Sequence, residues 1–196
     1  GLMNAIAELL SHFRLMEVSR EAYFALQNKN AAAPASSNAK QPSRAAALFD
    51  EAGILKDAYL PPATAEWQET WEITEALLAQ FNREVTRNGA SFHVLTLSNG
   101  VQVYPDPMLR QEYQQEFGIV DLFYPDRRIQ AIGGKVGFPV LSLAPLFQAH
   151  AERNQVFLHG FENTKLGIGH WNENGHRLAG KLLADNLCAW LSAKNQ

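Results

Sequence analysis

The sequence predicts an α/β fold with a mainly parallel sheet. Helical patterns alternate along the chain with short, buried-looking apolar runs, of which the clearest are residues 91–97 (SFHVLTL) and 138–143 (FPVLSL). A helix that ends at Asn88-Gly89 directly precedes the first run, and the order helix, turn, buried strand is half of a βαβ unit. Two clear strands are few for a parallel sheet. We therefore expect the sheet to be incomplete on its N-terminal side, as in a part of a longer protein.

The composition is typical of one soluble globular domain. The chain has 196 residues, of which 46% are hydrophobic and 19% charged. Its net charge of -3 gives no electrostatic reason to expect nucleic acid as a partner. No run approaches the roughly 18 apolar residues of a membrane helix, and no signal peptide is visible, which leaves the compartment open. The single cysteine, Cys188, excludes an internal disulfide and is predicted to be a small buried hydrophobe.

The N-terminal half is predicted to be helical, with one low-complexity segment. Apolar residues recur at helical spacing over residues 2–26. Residues 28–44 (NKNAAAPASSNAKQPSR) have too little apolar surface to offset the entropy of ordering, so we expect a flexible loop there within a single domain. A short helix is expected over 43–51. A long amphipathic helix follows over 64–87, and an Asn-Gly pair ends it.

Two helices are predicted between the two strands. Asp106 suits the N-cap of the first helix, a proline occupies its first position, and Gly118 suits the position just past its end. A shorter helix should follow Pro125 and end at Gly133-Gly134.

The C-terminal part is predicted to contain two more helices around a glycine-rich loop. Residues 144–153 should form a helix after the second strand, and residues 155–160 are either a short strand or a loop near a ligand. Asn172 or Asn174 should cap the last helix, which continues almost to the C-terminus.

The stretch from His159 to His176 is the leading candidate for a functional site. Three of the six histidines lie here among four glycines. Glycine permits a positive φ, so such a loop can present a histidine as a general base at the entrance of a helix, near the crevice of an α/β sheet. We expect His170 to be that base, with Gly169 shaping the loop and Asn172 capping the helix. A histidine that only bonds the backbone at a helix entrance is the alternative.

Residues 169–172 (GHWN), followed by Gly175-His176, resemble the last conserved block of the SGNH (GDSL-type) hydrolases. In that family a histidine followed closely by Asn and Gly opens the C-terminal helix. The first strand and the passage at 138–147 (FPVLSLAPLF) are similar to the family's later βα units, so the resemblance covers most of the chain loosely. It implies a three-layer αβα fold of the flavodoxin-like kind without a cofactor. It also implies that a serine, with His170 as base, hydrolyses or transfers acyl groups of small-molecule or carbohydrate esters.

Two departures from the family pattern stand out. The family's nucleophile lies in a Gly-Asp-Ser block that this chain lacks. The serine and the oxyanion donors are therefore expected outside this chain, in the N-terminal half of the same protein, and the chain alone is expected to be inactive. The family usually carries an Asp three residues before the histidine, where this chain has Gly167. Something else, such as a backbone carbonyl, would then have to orient His170.

Other chemistries fit the sequence less well. His159 and His176 could join His170 as metal ligands, but the gaps of eleven and six residues match no common spacing, so no metal is expected. Ser98 follows a predicted strand, where a nucleophile could sit, but the Asn-Gly after it is first a turn signal. A different class also remains open: a non-catalytic α/β module that binds a ligand or partner and has lost the nucleophile.

Overall fold

A computed structural model describes residues 41–51 and 56–194. Residues Pro42–Gln196 form a compact unit, and the description below concerns that unit. The helix predicted over 2–26 and nearly all of the predicted loop over 28–44 lie outside the described residues.

The described residues contain seven α-helices, one 3-10 turn and two strands. Every helix predicted within the described ranges is present, although some of the bounds differ. The elements are α1 (Arg44–Leu48), a 3-10 turn (Lys56–Tyr59), α2 (Ala65–Arg87), β1 (Val94–Thr96), α3 (Gly100–Val103), α4 (Pro107–Phe117), α5 (Tyr124–Val136), β2 (Val140–Ser142), α6 (Leu143–Asn154) and α7 (Glu173–Lys194).

The two strands pair in parallel, so the predicted α/β class with a parallel sheet is confirmed in its broad form. Val94 is paired with Val140 and Thr96 with Ser142. Each strand has only three residues, and β1 is half-buried rather than buried on both faces as its apolar run predicts. The sheet has two strands within the described residues, so each strand has a single hydrogen-bonded neighbour.

Asp106, Gly118 and the Asn88-Gly89 pair lie at helix ends as predicted, whereas Thr64, predicted as the first residue of α2, is its N-cap. The side chains of Thr64 and Asp106 accept backbone N–H groups in the first turns of α2 and α4. Gly89 and Gly118, just past the ends of the same helices, have φ values of 77° and 67°. Glycine suits these left-handed positions because it has no Cβ to clash with the carbonyl oxygen.

Helix α5 does not end at Gly133-Gly134 as predicted. It continues to Val136 and ends at Gly137, whose φ is 92°. Gly133 instead faces β2, where an added Cβ would lie 2.5 Å from Cγ2 of Val140. The first of the two glycines, Gly133, therefore allows close packing between α5 and β2.

The two glycines of α5 provide a matched test of this packing. Gly133→Ala should lower the free energy of unfolding by about 1–3 kcal/mol, because the new methyl group overpacks the contact with β2. A Cβ added at Gly134 meets nothing within 4 Å, so Gly134→Ala should raise the free energy of unfolding by up to about 1 kcal/mol through helix propensity. Urea unfolding of both variants measures the difference. Equal effects would contradict the proposed contact.

Two hydrophobic clusters form the core, and helix α3 lies between them. One cluster contains Val101 and the aromatic side chains of Phe49, Tyr59 and Tyr113. The other contains Val103 together with residues from β2, α6, α7 and Leu158. All four residues of α3 are buried, so the turn that leads from β1 into this helix is fixed from both sides.

The faces of two helices differ from the sequence prediction. No residue of α2 is buried, and Ile73, Leu77 and Phe81 along it are at least half exposed. Cys188 in α7 is exposed rather than buried, because that helix turns Leu178, Leu182, Leu183 and Trp190 toward the core and the cysteine lies off this face.

Within the described ranges, no helix combines the length and apolarity needed to cross a membrane.

Candidate functional site

A cleft of about 850 Å³ lies just beyond the carboxyl end of β1. The turn after β1, Leu97–Asn99, forms one wall, and the glycine-rich loop before α7 forms another. His159, His170 and His176 all line it, so the three histidines that the sequence singles out share one cleft. The carboxyl end of a parallel sheet is where α/β proteins commonly place a ligand crevice.

The glycine-rich loop is closed at its base by backbone hydrogen bonds. An isolated antiparallel bridge pairs His159 with Trp171, and the Gly160 N–H donates to the His170 carbonyl over 2.9 Å. Residues 155–160 are therefore a loop that returns to pair with the entrance of α7. This closure fixes the backbone on both sides of His170.

Asn172 occupies the capping position of α7. Its Oδ1 accepts the Gly175 N–H at 3.1 Å, and its Nδ2 donates to the Phe157 carbonyl at 2.9 Å. A single side chain therefore ends the loop and starts the helix, as its place in the sequence predicts for an N-cap.

His170 stands at the edge of the cleft with an exposed side chain. Its ring forms no hydrogen bond with any other described residue. The backbone of His170 is thus fixed while its imidazole remains available to a group entering the cleft.

The buried histidine of the site is His159, which sequence analysis considered only as a metal ligand. It is 2% exposed, and its Nε2 lies 3.0 Å from Oγ of Ser98, which is 5% exposed. Its Nδ1 lies 2.6 Å from the Gly169 carbonyl oxygen. The indole nitrogen of Trp171 donates to the same Ser98 Oγ at 3.0 Å.

The partners of His159 determine its tautomer. A carbonyl oxygen can only accept a hydrogen bond, so Nδ1 carries the proton and donates it to Gly169. Nε2 of the neutral ring is then an acceptor, and the Ser98 hydroxyl donates to it. Because the indole of Trp171 can only donate, the Ser98 oxygen accepts one hydrogen bond while its own proton points at the imidazole.

Burial lowers the pKa of His159 below its ordinary value. The hydrogen bond to the Gly169 carbonyl raises the pKa, and the nearby His170 lowers it, but desolvation is the largest effect. The ring is therefore neutral at pH 7, in agreement with the hydrogen-bond pattern.

The lowered pKa of His159 makes stability depend on pH. Below about pH 6.5 this histidine becomes protonated in the unfolded chain but stays neutral in the folded chain. The free energy of unfolding should therefore decrease as the pH is lowered, until the pKa of the folded state is reached. Urea unfolding between neutral and acidic pH measures the slope. His159→Gln should remove this contribution, and His150→Gln, outside the cleft, is the control. A slope unchanged by His159→Gln would contradict the assignment.

Gly167 shows why the loop has no carboxylate three residues before His170. Its φ is 88°, and an added Cβ would lie 2.3 Å from Cε2 of Tyr104. The loop backbone is also tightly packed on α3, since a Cβ on Gly100 would lie 2.4 Å from the Gly167 carbonyl oxygen. An Asp at this position is excluded both by the backbone conformation and by the tyrosine ring.

Gly167 and Gly169 give a second matched pair. Both have positive φ, but an added Cβ at Gly169 meets nothing within 4 Å. Gly169→Ala should cost about 1–2 kcal/mol of unfolding free energy from backbone strain alone. Gly167→Ala should cost about 1–3 kcal/mol more, because the methyl group also collides with Tyr104. Denaturant unfolding of both variants tests this, and equal losses would argue against the collision.

The histidines of the cleft are not grouped with other potential metal ligands among the described residues. Although three histidines line the cleft, the described residues include no group of three or more His, Cys, Asp or Glu side chains placed to hold a metal ion. His159 already uses both ring nitrogens within the protein.

The hydrogen-bonded pair of Ser98 and His159 is the feature that sequence analysis missed. The sequence places Ser98 just past a predicted strand, where a nucleophile could sit, but the Asn-Gly after it favours a turn. Asn99 is in fact the N-cap of α3. The two partners are 61 residues apart, and no local pattern links them.

Comparisons with family models, with curated proteins and with solved structures found no match for this chain.

Proposed function

We propose that this chain is the C-terminal, base-carrying part of an SGNH-type esterase with a three-layer αβα fold. The observation that carries the proposal is the position of His170. Its imidazole is exposed at the edge of a cleft beyond the carboxyl end of a parallel sheet, on a backbone closed by hydrogen bonds, with no partner for its ring among the described residues. A general base needs a ring nitrogen that is free to take a proton from the group it activates, and His170 has one.

In the proposed reaction, His170 accepts the proton of a serine hydroxyl supplied from outside this chain. The serine oxygen attacks the ester carbonyl, and His170 then gives the proton to the departing alcohol. Water, or the hydroxyl of an acceptor such as a sugar, repeats the sequence and releases the acyl group. Hydrolysis and acyl transfer use the same groups, so the proposal covers both.

The walls of the cleft suit a substrate with an apolar acyl part. Leu97 is 61% exposed and Phe161 is 46% exposed, and both line the cleft together with the ring of Trp171. Apolar walls with a few polar groups are typical of small-molecule sites. A small-molecule or carbohydrate acyl ester is therefore the proposed substrate class.

Replacement of His170 in the complete protein tests the proposal. His170→Ala should lower kcat for an acyl ester by about 10²- to 10⁴-fold, which is the usual contribution of a general base. The fold should be retained, because the ring is exposed and unpaired. His150→Ala, on α6 and outside the cleft, should leave kcat near that of the wild type.

Two outcomes would contradict the assignment. Near-wild-type turnover in His170→Ala would exclude this residue as the base. Ester binding without any turnover by the complete wild-type protein would instead favour the non-catalytic binding module.

A further inference from the structure

Three hydrogen bonds link Trp171, Ser98, His159 and Gly169 in a chain in which each residue donates to the next. The Gly169 carbonyl accepts from Nδ1 of His159, Nε2 of His159 accepts from the Ser98 hydroxyl, and Trp171 donates to the Ser98 oxygen. A serine whose proton points at a neutral imidazole, itself oriented through its other nitrogen, has the arrangement of an activated nucleophile.

Ser98 is also held in a place where a nucleophile can act. It lies between the end of β1 and the N-cap of α3, and both Ser98 and His159 line the cleft. The turn is rigid, because the Asn99 N–H donates to the Gln102 side chain and the Asn99 amide donates to the Tyr59 hydroxyl, each at 2.8 Å. Ser98 Oγ thus donates to the imidazole and accepts from the indole, on a residue that lines the cleft.

From this geometry we infer that Ser98 and His159 form a nucleophilic pair within this chain that accepts an acyl group from an activated ester. The pair shares the cleft with His170 but does not use its imidazole, and it does not depend on the serine proposed outside the chain. The ligand class is small carboxylic esters with a good leaving group, which can enter the cleft and reach Oγ.

The chemical step balances without any co-reactant. Ser98 Oγ forms a bond to the carbonyl carbon as its proton passes to Nε2 of His159. The bond from that carbon to the leaving oxygen breaks, and His159 returns the proton to the departing alcohol. The acyl group stays on Ser98 as an ester, and the imidazole is neutral again.

Sustained turnover is not part of this inference. During the step His159 becomes positively charged, and only a backbone carbonyl faces its Nδ1. A triad that loses its carboxylate loses about 10⁴ in turnover. We therefore expect acylation of one serine per chain, followed by slow release, which departs from the sequence-based expectation that the chain alone is inactive.

The test is acetylation of the whole chain with p-nitrophenyl acetate, followed by peptide mass mapping. The wild type should release one equivalent of p-nitrophenol and carry one acetyl group on Ser98. Labelling of a different residue, or no labelling, would overturn the inference without the use of any variant.

Variants with matched controls complete the test. Ser98→Ala should abolish the burst, and His159→Gln should slow it by about 100-fold or more, with circular dichroism used to verify that both variants fold. Ser142→Ala removes another buried serine outside the cleft and should react like the wild type. An unchanged burst in folded Ser98→Ala or His159→Gln would overturn the inference. Because His170 enters none of these measurements, their failure leaves the esterase proposal untouched.

Discussion

The hydrogen bond from His159 Nδ1 to the Gly169 carbonyl is the constraint on which the site depends. It connects the segment after α6 to the loop before α7, and through Nε2 the same ring reaches Ser98 in the turn after β1. Two neighbouring loop segments and a turn that precedes them by about 60 residues thus meet at one imidazole. Because the ring is buried, an unpaired nitrogen would be costly, and the carbonyl and the hydroxyl together satisfy both nitrogens.

A second polar network holds the turn that carries Ser98 in place. Gln102, buried in α3, donates to the Leu122 carbonyl and to the Asp126 carboxylate, each at 2.9 Å. Thr96, the last residue of β1, donates to the other oxygen of Asp126, whose pKa is raised by burial. The strand that delivers Ser98 and the helix that follows it are therefore joined by a carboxylate with both oxygens bonded. Such a network favours one arrangement of the turn over its alternatives.

The sequence predicted the helices better than the site, for physical reasons. Caps such as Asp106 and Gly118 act over a few residues, so composition and spacing reveal them. The end of α5 was misplaced because the role of Gly133 depends on β2, which packs against it. The site was predicted only in part: His170 and Gly169 line the cleft and Asn172 caps α7, but the pairing of Ser98 with His159 arises from tertiary contacts between segments with no shared pattern. The exposure of Cys188 was missed for a similar reason, since helical spacing alone does not say which face turns inward.

The packing of Gly167 against Tyr104 also constrains how the sequence of this loop can evolve. A carboxylate at position 167 cannot arise by one substitution, because the aromatic ring occupies its space and the backbone has a positive φ. Tyr104 would first have to be replaced by a smaller residue. Because Tyr104 also contacts Phe49 and Phe157, that replacement would weaken the packing of the neighbouring core. In a set of homologous chains, an acidic residue at 167 should therefore occur together with a small residue at 104, and the two positions should covary.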